Sequence, residues 1–117
     1  MSINKVIIIG NVGKDPEVSF AGQVKIVNLS VATTERYKDK SGEKQERTEW
    51  HKIAFFGKAA DFVEDYVKKG SQVFIEGKIH YSSKDDRYYT TINAERVELV
   101  GSKKKDNINE DEDMPFL

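Results

Sequence analysis

A chain of 117 residues fits one domain with one sizeable core. It contains no cysteine, which excludes disulfides and thiolate metal sites and fits a reducing compartment. The apolar run Val6 to Ile9 is too short for a signal-peptide core or a membrane span, so a cytoplasmic protein with no membrane association is expected. The net charge of −1 hides a partition: residues 1–105 hold all 19 Lys and Arg against 15 acids, and residues 106–117 hold five acids and no base. The body is therefore mildly basic and can attract a polyanion, while the acidic end can compete for that surface or serve another partner.

Five strands are expected. Ile3 to Ile9 is rich in β-branched residues and is closed by the turn Gly10-Asn11-Val12-Gly13, which Lys14-Asp15-Pro16 continues. Val24 to Thr34 reads as the second strand, with Ile26, Val27, Leu29 and Val31 as β formers. Glu35 to Arg47 is polar, mixes both charges, and reads as a long solvated hairpin arm. Thr48 to Phe56 is the third strand. Its alternation sets Trp50, Lys52, Ala54 and Phe56 on one side and His51, Ile53 and Phe55 on the other.

Lys58 to Lys69 is the one helix, with Phe62, Val63, Tyr66 and Val67 at helical spacing. Gly70 is its expected C-terminal cap, and Lys68 and Lys69 suit the dipole of the last turn. Gln72 to Tyr81 and Tyr88 to Val100 are the fourth and fifth strands, around a turn at Lys84-Asp85-Asp86-Arg87. From Gly101 onward the chain has too little apolar surface to order itself. Five strands with a helix between the third and fourth is the order of an OB-fold, a small Greek-key barrel. This gives an all-β barrel with one short helix over residues 1–101, a short linker over 102–109 and an acidic tip over 110–117.

No catalytic constellation stands out. The pairs Gly13-Lys14, Gly57-Lys58 and Gly77-Lys78 lack the upstream glycine and the following Ser or Thr of a phosphate-binding loop. Two histidines, His51 and His80, without cysteine give no metal-ligand spacing, so no metal or other cofactor is expected. Asp61, Glu64 and Asp65 read as a solvated helix face rather than acid–base machinery. What remains is a binding surface. Any single aromatic is more often core than site, but a core face seldom carries a lysine between two aromatics, as Lys52 stands between Trp50 and Phe56. Aromatics for stacking and cations for phosphates are the parts of a single-stranded nucleic-acid groove. The candidate stackers are Tyr37, Trp50 and Phe56, then Tyr81 and Tyr88. The candidate phosphate partners are Lys14, Arg36, Lys38, Lys52, Lys58, Lys69, Lys84 and Arg87. The arm is not simply basic, since residues 35–49 hold five bases and five acids.

The segments NKVIIIGNVGKDPEV, VNLSVATTERY, TEWHKIAFFGKAADFVEDYVKKGSQVFIEGKI and DRYYTT follow one another in an order and spacing that resemble the bacterial single-stranded DNA-binding proteins, including those of phages and plasmids. The resemblance runs over nearly all of residues 3–100. It implies an OB-fold that assembles, usually as a homotetramer, and wraps single-stranded DNA without strong sequence preference. It also implies a non-enzymatic, nucleoid-associated role in DNA replication, recombination and repair.

By position, the resemblance matches Tyr37 and Trp50 to stacking tryptophans and Phe56 to a stacking phenylalanine, and it sets His51 and Lys5 at subunit contacts. It implies that Asp111, Glu112, Asp113, Met114, Pro115, Phe116 and Leu117 form a tip that recruits replication and repair proteins. Two departures from the family pattern stand out. The hairpin Ser82 to Asp86 reads as short and without an aromatic, and Leu117 follows the Pro-Phe pair that usually ends the family's tail. The competing classes are an OB-fold adaptor that bridges proteins, which the acidic tail disfavours, and an OB-fold hydrolase, which the missing acid–base cluster disfavours.

Overall fold

The computed structural model describes residues 1–101, so the expected linker and tip lie outside the described residues. Six strands and one helix follow in the order β1 (Val6–Val12), β2 (Glu17–Ala21), β3 (Val24–Lys38), β4 (Lys44–Phe56), α1 (Gly57–Tyr66), β5 (Gln72–Lys84) and β6 (Arg87–Leu99). The sheet order is β1-β5-β6-β4-β3-β2, and a β1–β3 pairing closes it on itself. Neighbours run antiparallel except β4 and β6, which meet in parallel at Ile53–Ile92 and Ala54–Asn93. Leaving aside β2, this is the OB-fold barrel expected from the element order.

The core follows from strict alternation. Val27, Val31, Ile53, Phe55, Val73 and Ile75 point inward and are fully buried. The helix plugs the barrel with Ala60 and Val63 on one side, and the buried residue that follows its last turn, Val67, joins them in the core. Lys25 of β3 ties the helix down. Its Nζ donates to Asp61 Oδ1 at 3.1 Å and Glu64 Oε1 at 2.5 Å. The bond to Glu64, then that to Asp61, holds the ammonium pKa above its ordinary value. Two of the helix acids thus anchor the helix to the barrel.

The structure corrects several boundaries. β1 begins three residues later than expected and runs through Gly10 to Val12. The glycine is not a breaker here. A side chain at Gly10 would run into the Ala32 carbonyl and come within 2.9 Å of Val31 Cγ1, so its absence lets β1 cross β3 and close the barrel. The added strand β2 is exposed throughout and is held by its ladder to β3. The polar arm is a hairpin as expected, and its two strands stay paired out to Lys38–Lys44, which carries β3 and β4 past the expected Thr34 and Thr48.

The helix ends at Tyr66 with Val67 as C-cap, so Lys68, Lys69 and Gly70 lie beyond it, and no base occupies its last turn. Tyr66, expected on the apolar stripe, is exposed and rests its ring 5.2 Å from that of Phe62. The β5–β6 hairpin is also longer than expected. It stays paired to Lys84–Arg87 and turns through Asp85 and Asp86, both at positive φ. That backbone is the two-residue turn that matches strand twist.

Candidate nucleic-acid interface

β4 builds the centre of the site. Ile53 and Phe55 are locked in the core, so the pleat turns Trp50, Lys52 and Phe56 outward. Trp50 is 60% exposed and Phe56 41%. Ala54, short between them, is covered by its neighbours. Opposite Trp50 across the ladder stands Ala32, and opposite Phe56 stands Ile26.

The indole is braced at one edge. A Cβ at Gly13 would run into Trp50 Cζ3 and approach Cη2 to 2.6 Å, so the edge of the six-membered ring lies against Gly13. Gly13 is itself pinned by its N–H, which donates to the Ser30 carbonyl at 2.9 Å. The result is a flat apolar ring held along one edge and 60% exposed. A base can stack on its exposed surface.

One cleft adjoins the ring and a second lies beside Lys52. In the first, Trp50, His51 and Lys52 face Tyr88, Tyr89 and Thr90 of β6. In the second, Lys52 joins Lys14, Asn28, Ser30 and Thr91. Lys52 therefore borders both, with Lys14 as a second cation. Lys14 has a loose surface partner in Glu17 at 3.8 Å, an exposed contact of small worth that a phosphate can replace.

The hairpin β5–β6 supplies more aromatic surface than its sequence indicated. Tyr81, Tyr88 and Tyr89 all stand on it, with Tyr88 88% exposed. The apparent lack of an aromatic there came from reading the hairpin as five residues. Strand parity puts Tyr81 and Tyr88 on one face, beyond the pair of half-buried Ile79 and buried Ile92, and Tyr89 on the other with Lys84 and Arg87. Tyr89 was not among the sequence candidates. Its signal was the unbroken alternation from Arg87 onward.

Tyr37 is not on the Trp50 face. It pairs across the ladder with Gln45, on the side that carries Thr33 and Glu35, and the Arg47 guanidinium sits 5.2 Å from its ring centre. Arg36 and Lys38 do continue the Trp50 face. A shallow depression at the arm's end is lined by Arg36, Tyr37, Lys38, Lys44, Gln45 and Glu46. The arm's tip is fixed by Asp39, whose carboxylate accepts from Ser41 N, Ser41 Oγ, Glu43 N and Gln45 Nε2 at 2.7–3.0 Å. Those donors, the Ser41 hydroxyl first, hold its pKa below the ordinary value.

The remaining cations are dispersed. Lys58 is on the first turn of α1, Lys69 lies beyond its end with its backbone N–H on Asp15 Oδ1, and Lys84 and Arg87 flank the β5–β6 turn. His51 faces away from Trp50 and sets its Nε2 2.8 Å from Thr33 Oγ1. Lys5 is drawn into an ion pair with Glu76 at 2.5 Å, which raises its pKa and lowers that of the carboxyl. Beyond Lys5, Ile7 and Ile9 of β1 point outward and are more than half exposed.

Residues 3–100 match the model of the Single-strand binding protein family. The chain belongs to that family. A "Single-stranded DNA-binding protein" of Xylella fastidiosa strain Temecula1 is 44% identical over 107 residues, covering 86% of this chain and 65% of that one. "Single-stranded DNA-binding protein 1" of Chlorobaculum tepidum is 45% identical over 109 residues, covering 86% and 67%. The chain spans 59–65% of the length of the Xylella protein and of two Xanthomonas relatives. All of these relatives are named for binding and none for a reaction.

Among solved structures, a Plasmodium falciparum SSB complex with ssDNA superposes with TM-score 0.73 at 29% identity, covering 86% of this chain and 95% of that one. A deletion mutant of the Thermus aquaticus single-stranded DNA binding protein gives 0.75 at 23% identity, covering 86% and 52%, which supports the fold alone. No helix among the described residues is long and apolar enough to cross a membrane.

Proposed function

We propose that this member of the Single-strand binding protein family binds single-stranded DNA without strong sequence preference, as a non-catalytic protector of exposed strands. One observation carries the reading: Trp50 is held at one edge by Gly13 and is 60% exposed, and Lys52 follows it on the same face of β4. Stacking on an aromatic ring tolerates any base, and a neighbouring ammonium tracks the phosphates whatever their sequence. Phe56 extends the platform along β4, Tyr88 faces Trp50 across a cleft, and Lys14 adds a cation. Tyr81 shares the face of Tyr88, and Tyr37 lies on the face of the arm opposite Trp50, which suits a strand that wraps rather than lies flat. The Plasmodium complex, a relative of the same fold that holds ssDNA, supports the assignment.

Titration of the fluorescence of the lone tryptophan with oligothymidylates of increasing length, at two salt concentrations, tests this. Quenching that saturates, and an affinity that falls as salt rises, are the expected results. Unaltered fluorescence with no comigration of DNA overturns the reading.

The finer assignments rest on the same site. The chain assembles as a homo-oligomer, with a tetramer expected. The outward Ile7 and Ile9, the nearby Lys5 and the His51 side of β4 are its contact regions. A strand protector of this kind serves replication, recombination and repair in the cytoplasm, at the nucleoid. The acidic run Glu110 to Asp113 followed by Met114, Pro115, Phe116 and Leu117 recruits partner proteins, its ring burying in an apolar pocket while the acids steer the encounter.

A further inference from the structure

The β3–β4 arm carries a charge arrangement that its own packing leaves unresolved. On the Trp50 face, successive cross-strand neighbours are Ala32–Trp50, Thr34–Thr48, Arg36–Glu46 and Lys38–Lys44. The first three are compatible: an alanine beside the indole, two hydroxyls at 3.3 Å, and an ion pair at 3.1 Å. The fourth sets two ammonium groups directly opposite each other, where like charges destabilise a ladder. Three of the arm's acids are engaged elsewhere, and the carboxylate of Glu43, next to Lys44 in the chain, pairs with neither lysine. Glu46 holds Arg36, Glu35 holds Arg47, and the Asp39 carboxylate is committed to the turn. Among the described residues no carboxylate forms an ion pair with either lysine. Both line the depression at the arm's end.

We propose that Lys38 and Lys44 form a phosphate clamp, a cross-strand pair of ammonium groups that takes one or two phosphodiesters of the strand stacked on Trp50. The inference rests on the single-stranded DNA reading and extends it to the arm. Lys44 stands six positions before Trp50 on β4, about 20 Å along the same face at ~3.4 Å per residue. A strand leaving Trp50 along that face therefore meets the pair. Each ammonium brings three donors and no competing acceptor. The Asp39-bonded turn holds the two strand ends in register, so the clamp is set before the ligand arrives. An anion between the two lysines relieves the repulsion that the free protein carries. Binding strength and stability of the free arm are thereby opposed at this one pair.

The test uses the full chain, a long oligothymidylate and tryptophan quenching over a range of salt. Lys38→Gln and Lys44→Gln each lower the slope of log affinity against log salt by about 0.7, the value for one phosphate on a single strand. The thermal midpoint of each free variant in low salt holds or rises, because the repulsion is gone. Lys40→Gln, in the turn and with no lysine opposite, leaves the slope as it was. Equal slopes for Lys44→Gln and wild type, with quenching intact, overturn the clamp. So does a Lys40→Gln loss as large as that of Lys44→Gln, since the effect is then diffuse charge. If the wild-type chain shows no quenching and no DNA comigration, the underlying DNA reading falls and the clamp with it.

Discussion

Replacing Gly13 by alanine perturbs the site without touching any group that contacts the ligand. The new methyl would come within 2.6 Å of Trp50 Cη2, well inside van der Waals contact, so one of the two must move. Gly13 is anchored by its bond to Ser30, whereas the indole is 60% exposed and free on its outer side. The indole therefore swings off its seat. Gly13 is not among the positive-φ glycines, so alanine suits the backbone and stiffens the unfolded chain, by roughly 0.4–1 kcal/mol in favour of the fold. Binding moves the other way. A stacked base is worth on the order of 1–3 kcal/mol. Partial loss of the platform weakens binding by about 1–2 kcal/mol, roughly five- to thirtyfold in Kd. The assay is a double-mutant cycle with Trp50→Ala, read by electrophoretic or anisotropy titration so that variants without tryptophan can be followed. Gly13→Ala should lose most of its effect in the Trp50→Ala background. Wild-type affinity in Gly13→Ala, or full additivity of the two changes, refutes the claim that Gly13 seats the ring.

Phe55→Ala empties the largest fully buried site of the barrel and should cost about 3–5 kcal/mol, seen as a fall in thermal midpoint with the native-state binding constant kept. For Asp39 the sign follows from its lowered pKa: order at the arm's tip is present above the ordinary aspartate range, about 3.9, and is lost as pH falls through the lower native value. The Ser41 and Glu43 amide resonances should report that loss, and Asp39→Ala should show the loosened tip already at neutral pH; an unchanged tip in that variant speaks against the staple. His51→Tyr, bulkier and unable to keep the contact with Thr33, should shift the assembly toward smaller species in light scattering, and an unchanged mass on dilution removes His51 from the contact. Phe116→Ala should abolish capture of replication and repair partners in a pull-down while DNA affinity stays within twofold; retained capture shows that the ring is not the anchor.

Much of this was legible from residue order because the barrel strands alternate. With Ile53 and Phe55 inward, alternation alone turns Trp50, Lys52 and Phe56 outward. The misses share a physical cause. β2 has no buried side chain, so it leaves no apolar period to read. The arm reads as a hairpin, but being polar on both sides it hides where its strands stop; its ladder and the ion pairs Arg36–Glu46 and Arg47–Glu35 extend both strands well past the barrel. Gly10 has the residue type of a turn but serves a close crossing. Gly13 at the edge of Trp50, and Lys44 facing Lys38, are relations between distant positions, which no local pattern contains. Tyr37 was legible as an exposed aromatic, but its face was not, because that depends on register.

The barrel's seams bear on how the chain reaches this state. β3 with β4, and β5 with β6, are hairpins whose partners are near in sequence, and each is paired over nearly its whole length. The two hairpins meet only at Ile53–Ile92 and Ala54–Asn93, and β1 reaches β3 only at Asn11–Ala32 and Val12–Val31. Loop-closure entropy opposes the joining of distant segments until many contacts repay it, so hairpins zip first and seams close late. Interactions made after the rate-limiting barrier govern the unfolding rate and leave the refolding rate nearly unchanged. Substitutions at Gly10 and Ala54 should therefore change mainly the unfolding rate, and substitutions in the arms mainly the refolding rate, in stopped-flow measurements.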